Sequence, residues 1–320
     1  MLSVPTGGTM MAIEEKSVLA VVDWGTSHLR IWAVGSSGAV LAERKSNEGM
    51  SSTARDRFEG VLESHLDALA IAENVPVIMC GMVGSRQGWA EAGYIPIPTG
   101  LDQLGANAVR VPHSKRDIRI LPGLSKNDPV APDVMRGEET QLLGLFAAIG
   151  EHKGAKTTVC MPGTHSKWVS MSDGTVGDCV SFMTGDMFAA LSGHSVLSHS
   201  VGTATFDAHS ADFLQGVEAS LASPSDILAR LFSIRPAGLL QGLSPEAASA
   251  RLSGYLIGQE IAGAKARLAV GQSVELVGGG VLGALYSAAL QVASIDSRVH
   301  DGDTLVLEGA KKAAAMIWNF

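Results

Sequence analysis

Two short turns built from glycine and threonine carry the clearest chemical signal in the sequence. The first, Gly25-Thr26-Ser27, follows a predicted strand at 18–23. The second, Gly163-Thr164-His165, follows the apolar residues 157–161. Small residues between two strands expose backbone N–H groups and hydroxyls, which are donors that bind phosphate oxygens. We therefore predict that both turns contact one polyphosphate; the alternative is that each is an ordinary β-hairpin connection.

A single carboxylate, Asp23, ends the apolar segment before the first turn. Met161 and Pro162 stand at the corresponding place before the second turn. Folding alone does not explain this difference, whereas a metal ion that needs one carboxylate does. Asp23 is therefore predicted to be a catalytic residue and the metal ligand.

A run of three glycines, Gly278-Gly279-Gly280, stands between a predicted strand at 273–277 and a predicted helix that reaches Val292. A glycine-rich passage from strand to helix lets the main chain lie close to a phosphate or a flat ligand. The run lacks the spacing of the dinucleotide and P-loop motifs, so a tight connection is the alternative. Beside the two turns, it is predicted to contact the adenosine side of a nucleotide.

The segment Gly84-Ser85-Arg86-Gln87 follows the apolar residues 75–80 and is expected at the carboxyl end of a strand. Open α/β sheets place their ligands at such ends. Arginine can bind a carboxylate through two parallel hydrogen bonds, and Gln87 can bind hydroxyls. We predict that these four residues bind a substrate; the alternative is a solvated loop arginine.

Two adjacent acids, Glu138 and Glu139, follow Gly137 and open a predicted amphipathic helix. A carboxylate can accept the proton of a hydroxyl nucleophile, so both are candidate catalytic residues. Acids in the first turn of a helix also cap it and interact favourably with its dipole, which is the structural alternative. Asp133, a few residues earlier, competes for the same role.

The elements that surround the two turns occur twice in the same order. The first copy has three strands in tight succession, then a helix that opens at Thr53 with Asp56 completing a capping box, then later strands. The strand and turn pattern recurs 138 positions further on. Because internal duplication decides architecture, we predict two related α/β lobes. They are expected at 18–132 and 133–320, after a tail at 1–17.

The composition indicates a globular protein and excludes several partners. Of the 320 residues, 46% are hydrophobic and 18% are charged, and the formal net charge is −8. The sequence contains no basic cluster of the kind that indicates a nucleic-acid partner. It also contains no stretch of about 18 apolar residues, which a membrane span would need. Three widely spaced cysteines favour a reducing compartment. With no signal-peptide layout at the start, we expect a cytoplasmic protein.

Four segments together resemble the 2-dehydro-3-deoxygalactonokinase family. They are VDWGTS at 22–27, CGMVGSRQGW at 80–89, RGEETQ at 136–141 and PGTHSKW at 162–168. The two turns and the glycine run also resemble the phosphate-1, phosphate-2 and adenosine motifs of the wider superfamily of sugar kinases, heat-shock proteins and actin. The resemblance implies two ribonuclease-H-like lobes of the actin-like ATPase type, with an interdomain nucleotide cleft.

The resemblance also implies the activity. The family uses ATP and Mg²⁺ to phosphorylate 2-dehydro-3-deoxy-D-galactonate, a small sugar acid of galactonate degradation, on its 6-hydroxyl. Related sugar kinases take their general base from a Gly-Asp-Gln segment, which implies Glu138 here, with Glu139 and Asp133 as competitors. Homo-oligomerisation stays open. The alternatives are another carbohydrate kinase of the superfamily and a non-enzymatic ATP-binding module.

Overall fold

Two units divide the chain in the structure, a computed structural model that describes residues 15–150, 156–201, 205–269 and 271–318. The first unit comprises Met1–Glu91 and Val109–Ile120, and the second comprises Ala92–Ala108 and Leu121–Phe320. The tail predicted at 1–17 lies largely outside the described residues.

Runs of strands and runs of helices follow one another along the chain. In chain order the described strands are β1 (Ser17–Trp24), β2 (Leu29–Gly35), β3 (Val40–Ser46), β4 (Val77–Cys80), β5 (Tyr94–Pro96), β6 (Thr99–Gly100), β7 (Val109–Arg110), β8 (Ile118–Ile120), β9 (Gly123–Lys126), β10 (Asp133–Met135), β11 (Lys156–Met161), β12 (Ser166–Ser172), β13 (Thr175–Phe182), β14 (Val274–Val277) and β15 (Ser297–His300). The described α-helices are α1 (Phe58–Ala68), α2 (Gln103–Ala106), α3 (Glu138–Ile149), α4 (Thr184–His194), α5 (Ala211–Ala222), α6 (Ile227–Gln241), α7 (Pro245–Lys265), α8 (Gly280–Val292) and α9 (Gly302–Trp318). Short 3-10 helices lie at Met50–Ser52, Met82–Gly84, Val196–His199 and Pro224–Asp226.

The first unit forms one sheet with the strand order β3-β2-β1-β4-β8-β7. Strands β1, β2 and β3 pair antiparallel, whereas β1, β4 and β8 run parallel. The centre of β1 is fully buried from Leu19 to Val22, which is why its sequence is continuously apolar rather than alternating. On α1, the buried residues Phe58, Leu62 and Leu66 follow the helical period.

The helix predicted to open at Thr53 begins at Phe58, and its N-cap position makes no side-chain capping bond. The capping box of Thr53 and Asp56 was therefore wrong. The Thr53 hydroxyl instead donates to the Gly49 carbonyl, 3.0 Å away, at the end of a 3-10 turn. The 3-10 turn forms because the amides of Met50 and Ser51 donate hydrogen bonds to carbonyls of the first Gly-Thr turn. These bonds join segments that are distant in the sequence, so no local sequence pattern indicates them.

Five strands of the second unit repeat the topology of five strands of the first. Its main sheet has the order β15-β14-β11-β12-β13-β6. Strands β11, β12 and β13 pair antiparallel, and β11, β14 and β15 run parallel. The central strands β1 and β11 thus occupy matching positions, and each leads into a Gly-Thr turn. The predicted duplication is confirmed.

A separate three-stranded sheet explains where the units divide. It has the order β10-β9-β5, and β6 joins β13 at the edge of the main sheet of the second unit. These pairings place Ala92–Ala108 and the residues after Ile120 in the second unit, so the division differs from the boundary expected at Pro132. Strands of two to four residues are too short to show a period in the sequence.

No helix among the described residues combines the length and the hydropathy that crossing a bilayer requires.

Two helices of the second unit, α3 and α9, pack against each other through small residues. A Cβ atom at Gly309 would overlap the carbonyl of Thr140, and one at Gly144 would overlap that of Leu305. The two backbones therefore approach closely, and this crossing fixes the helix that begins at Glu138.

We predict that Gly309→Ala destabilises the protein by about 1–3 kcal/mol, because a methyl group at the crossing forces the helices apart. The matched control is Gly60→Ala in α1, where a Cβ atom would meet nothing within 4 Å. That change should stabilise the protein by about 0.4–1 kcal/mol through the unfolded chain. Urea unfolding measures both. Equal midpoints for Gly309→Ala and the wild type would contradict the role of the crossing.

Candidate functional site

The first Gly-Thr turn presents its amides to solvent. The Gly25 amide donates to the His28 carbonyl at 2.9 Å, which closes the turn. Thr26 and Ser27 are exposed, and their amides have no acceptor in the part of the chain that the structure describes. These amides are the donors that an anion can use.

A second segment secures the back of this turn. The amide of Met50 donates to the Gly25 carbonyl and that of Ser51 to the Thr26 carbonyl, each at 2.9 Å. A Cβ atom at Gly49 would overlap the backbone of Ser27, so glycine permits the close approach. The carbonyl side of the turn is thus occupied by backbone donors.

Asp23 is the next-to-last residue of β1, where it pairs with Arg30 on one side and Cys80 on the other. The chain leaves β4 at Gly81 with φ of 89°, a conformation that favours glycine. A Cβ atom there would lie 3.2 Å from Asp23 Oδ1 and 2.8 Å from the Trp24 carbonyl. Glycine at position 81 therefore lets the chain pass close to the Asp23 carboxylate and the Trp24 carbonyl.

The predicted substrate segment divides into a buried and an exposed half. Gly84 and Ser85 are buried, whereas Arg86 and Gln87 are exposed. The Arg86 side chain is 82% exposed, and its Nε lies 3.5 Å from Glu91 Oε1 in an ion pair at the surface. A long, charged and loosely held side chain is therefore available at the tip of the loop.

Trp89, at the end of the same loop, is a packing residue. Its ring stacks on that of Phe58 with centroids 6.1 Å apart, and Phe58 meets Trp24 edge-on at 5.0 Å. The Trp89 amide also donates to the Val83 carbonyl at 2.9 Å. These contacts anchor the loop beneath its exposed tip.

The second Gly-Thr turn is supported in the same way as the first. The Asp186 amide, in the first turn of α4, donates to the Thr164 carbonyl at 2.9 Å. A Cβ atom at Gly185 would lie 2.5 Å from the Gly163 carbonyl oxygen. His165 Nε2 lies 3.7 Å from Asp186 Oδ2. The start of α4 therefore fixes the second turn, as the 3-10 turn fixes the first.

Neither Gly25 nor Gly163 is required by packing. The nearest atom to an added methyl group would be 3.5 Å away at Gly25 and 3.9 Å away at Gly163, which are ordinary contact distances. Neither residue has the positive φ that favours glycine. Neither packing nor backbone conformation therefore explains glycine at these two positions.

The structure brings the glycine run beside the second turn. A Cβ atom at Gly278 would lie 3.7 Å from Pro162, and α8 begins at Gly280 as predicted. A pocket of about 200 Å³ opens nearby in the second unit. It is lined by Gly163, Thr184, Gly185, Phe188, Phe206, Ser253, Leu256, Ile257, Leu282, Leu285 and Tyr286. Its mostly apolar walls next to a phosphate-type turn suit the base of a nucleotide.

The two adjacent acids occupy different environments. Glu139 is fully buried, and it accepts hydrogen bonds from the Gly137 amide at 2.6 Å and the Thr140 hydroxyl at 3.2 Å. Burial and the charge of Glu138 raise the pKa of Glu139 to about 8. Glu138 keeps some accessible surface, and its Oε2 accepts the Arg136 amide at 3.0 Å. Of the two, only Glu138 can touch a ligand without rearrangement.

The electrostatic surroundings of Glu138 are mixed. Burial raises the pKa of its carboxyl, whereas the nearby Lys167 and His165 oppose that shift. Lys167 is itself buried, and its Nζ donates to the Val134 carbonyl at 2.9 Å and to Ser181 Oγ at 2.5 Å. The ammonium group therefore lies inside the second unit.

Asp133, the competing candidate base, is already engaged. Its carboxylate accepts hydrogen bonds from the amide and the hydroxyl of Ser181, each at 2.6 Å. It also lies 4.0 Å from Lys167 Nζ. These bonds join β10 to β13 and favour a structural role for Asp133.

Glu260, on α7, is a residue of this region that motif reasoning missed. It is 2% exposed, and it accepts hydrogen bonds from Trp168, Thr184 and Tyr286. A lone acid between apolar residues on a buried helix face is a signal that could have found it, since unpaired buried carboxylates are costly. Its partners, however, come from three other elements.

A sequence model of the 2-keto-3-deoxy-galactonokinase family matches residues 23–313. The chain belongs to this family. A relative from Rhizobium meliloti (strain 1021), named a probable 2-dehydro-3-deoxygalactonokinase, is 48% identical over 300 residues, covering 93% of this chain and 97% of its own. The 2-dehydro-3-deoxygalactonokinase of Escherichia coli (strain K12) is 32% identical over 299 residues, covering 93% and 98%.

Solved structures agree with the membership of the galactonokinase family. A crystal structure of a Sinorhizobium meliloti protein that carries the same enzyme name has a TM-score of 0.91 at 48% identity, covering 94% of this chain and 100% of its own. The activator of 2-hydroxyisocaproyl-CoA dehydratase from Clostridium difficile, solved with bound ADPNP, has a TM-score of 0.51 at 13% identity, covering 92% and 93%. The predicted actin-like ATPase fold is confirmed.

For this galactonokinase family member, the predicted roles of the site residues stay predictions. The structure groups the second turn, the glycine run, Glu138 and Glu139 in the second unit. It groups Asp23, the first turn and Arg86 in the first unit.

The raised pKa of Glu139 predicts how stability depends on pH. A carboxyl that ionises at a pKa near 8 when folded, and near 4.3 when unfolded, keeps its proton only in the folded state between these values. The free energy of unfolding therefore falls as pH rises from 5 to 8.

We expect Glu139→Gln to remove this loss, so that the variant gains stability relative to the wild type between pH 5 and 8.5. About 1 kcal/mol shifts the Tm of a unit of this size by about 2–4 °C, so thermal melts at several pH values resolve the effect. Parallel pH profiles for the two proteins would rule out a buried, protonated Glu139.

Proposed function

We propose that this chain transfers the terminal phosphoryl group of ATP to the 6-hydroxyl of 2-dehydro-3-deoxy-D-galactonate. The observation that carries the proposal is the match, over nearly the whole chain, to two curated relatives that bear this enzyme name. The duplicated sheets with their exposed Gly-Thr turns support it, because phosphoryl transfer relies on positioning and charge stabilisation more than on covalent chemistry.

The two turns would bind the phosphates of ATP mainly through backbone amides. The protein has a net charge of −8, so its overall field does not attract a polyanion, and local donors have to supply the affinity. The exposed Thr26 and Ser27 amides supply them in the first unit, and the turn at Thr164 supplies them in the second. The apolar pocket at Phe188 and Leu282 would take the base.

Asp23 suits a magnesium ion that is held mostly by phosphates and water. Its carboxylate lies near the end of β1, close to Gly81 at the start of the loop that follows β4. Mg²⁺ retains several waters and binds through one or two carboxylates together with substrate phosphates. The ion would supply charge neutralisation on the transferred group.

Glu138 would act as the general base. Its carboxylate accepts the proton of the 6-hydroxyl while that oxygen bonds to the terminal phosphorus and the bond from phosphorus to the ADP oxygen breaks. The raised pKa of Glu138 makes it a better proton acceptor than an exposed carboxylate. Arg86, exposed at its loop tip, would bind the carboxylate of the sugar acid.

An assay of ATP consumption against a panel of 2-keto-3-deoxy aldonates tests the function. We expect turnover with 2-dehydro-3-deoxy-D-galactonate and a product whose phosphorus spectrum places phosphate on C6. The 6-deoxy analogue lacks the acceptor oxygen and should support no turnover. Turnover with another carbohydrate and none with any 2-keto-3-deoxy aldonate would sink the proposal, as would nucleotide binding without turnover.

Two variants extend this assay to the assigned contacts. Arg86→Ala should raise the KM for the sugar acid about tenfold, the effect of losing one charged hydrogen-bonded contact, and leave the KM for ATP unchanged. Asp23→Asn should lose turnover most strongly at limiting magnesium. Equal changes in both KM values, or normal turnover at limiting magnesium, would remove the respective role.

Glu138→Gln should lower kcat by about 10²–10⁴-fold, because the amide cannot accept the hydroxyl proton. The matched control is its neighbour: Glu139→Gln changes a fully buried carboxyl and should keep kcat within about tenfold. Both are measured at saturating ATP and sugar acid. A larger loss in Glu139→Gln would exchange the two roles, and no loss in either would point to Asp133.

A further inference from the structure

A buried carboxylate joins four elements of the second unit. Glu260 Oε1 accepts the indole N–H of Trp168 at 2.8 Å. Its Oε2 accepts the Tyr286 hydroxyl at 2.6 Å and the Thr184 hydroxyl. Tyr286 OH also lies 2.8 Å from Ser166 Oγ. We call these five residues the Glu260 network.

The network reaches three elements close to the second Gly-Thr turn. Ser166 is the first residue of β12, directly after the turn. Thr184 is the first residue of α4, which packs against the turn. Tyr286 lies on α8, the helix that follows the glycine run. The Glu260 carboxylate on α7 therefore connects β12, which follows the turn, α4, which packs against it, and α8, which follows the glycine run.

The position of α4 is coupled directly to the turn. Gly185, next to Thr184, lies so close that a Cβ atom would be 2.5 Å from the Gly163 carbonyl oxygen. The Asp186 amide bonds to the Thr164 carbonyl. A shift of Thr184 away from Glu260 would therefore also move Gly185 and Asp186, the residues that support the turn.

The network also forms one wall of the apolar pocket. Thr184 and Tyr286 line the pocket, and Ser253, Leu256 and Ile257 on α7 line it beside them. The carboxylate itself is 2% exposed, so it does not contact a ligand. Its effect on binding passes through the residues that it holds.

We propose that Glu260 is a positioning residue for nucleotide: it sets the second Gly-Thr turn and the adjoining pocket wall in the arrangement that binds ADP and ATP. The proposal rests on the proposed function in taking ATP as the phosphoryl donor. Glu260 lies outside the sequence motifs. In this proposal it determines the geometry of one of them, the second Gly-Thr turn.

A carboxylate suits this position better than its amide. All three partners donate, and an indole N–H can only donate. Glutamine would offer one oxygen acceptor and turn an N–H₂ group toward hydroxyls, which then have to rotate. Hydrogen bonds to a charged acceptor contribute more than neutral ones, and networks of this kind lose more than one bond when a member changes.

The test compares Glu260→Gln with the wild type by isothermal titration calorimetry with ADP and by steady-state kinetics. We expect the Kd for ADP and the KM for ATP to rise about tenfold, the effect of weakening one charged hydrogen bond. The KM for the sugar acid should change less than about twofold. A merely structural role would not separate the two KM values.

A matched control lies on the same helix. Arg251 Nε of α7 donates to Asp212 Oδ1 of α5 at 2.7 Å, and Asp212→Asn weakens this pair without touching the network. It should leave the ADP affinity and both KM values unchanged. Tyr286→Phe serves if Glu260→Gln fails to fold, because it removes one hydroxyl and keeps the ring; it should weaken ADP binding in the same direction.

Each result decides the matter. Unchanged ADP affinity in Glu260→Gln or, if that variant is unfolded, in Tyr286→Phe overturns the positioning role. So does an equal rise of both KM values, or a rise in Asp212→Asn as large as in Glu260→Gln. Absence of sugar-acid phosphorylation by the wild type would reject the proposed function, yet the ADP titrations would still decide the role of Glu260.

Discussion

Backbone amides at the two Gly-Thr turns have to stay unpaired in the folded protein if they are to bind phosphate. Such amides are costly when buried, so the turns have to lie at the surface and still be rigid. The chain meets both needs by bonding the opposite side of each turn: Ser51 donates to the Thr26 carbonyl and Asp186 to the Thr164 carbonyl. A glycine, Gly49 or Gly185, makes the close approach possible in each case.

Three carboxylates around the second turn differ in the groups that they contact. Burial raises the pKa of Glu138, Glu139 and Glu260 alike, but their partners differ. Glu260 has three donors and holds other elements in place. Glu139 is sealed against the start of its own helix. Glu138 alone combines a raised pKa with remaining surface, and this combination is what a base acting on a hydroxyl requires.

Much of the fold could be predicted from the sequence because its signals are local. Strands β1, β2, β11 and β12 and the helix after the glycine run follow from apolar segments punctuated by glycine, and the repeat of these signals predicts the second sheet. The helix expected at Thr53 failed because Met50 and Ser51 bond to a turn some 25 residues away. Glu260 was missed for the same reason, since its partners lie 26 to 92 residues away.

The duplication also accounts for where the two ligands would bind. In each sheet the strand that runs parallel beside the central one, β4 or β14, ends directly before a glycine, Gly81 or Gly278. Each glycine lies next to the neighbouring turn, Gly81 at the Trp24 carbonyl and Gly278 at Pro162. After these two glycines the sequences of the two copies diverge. One continues into the loop that exposes Arg86, and the other into the glycine run and α8.

The same topological position can therefore serve two different chemistries. Phosphate is recognised through main-chain groups that any small residue supplies, so the Gly-Thr turn could be kept in both copies. Under the proposed function, a sugar acid and an adenosine group would need different side chains, which would account for the difference between the segments that follow β4 and β14. Under the proposed function, a magnesium ion held mainly by phosphates and water would need a single carboxylate, which would account for Asp23 in one copy only. A second one beside the same phosphates would add repulsion between like charges.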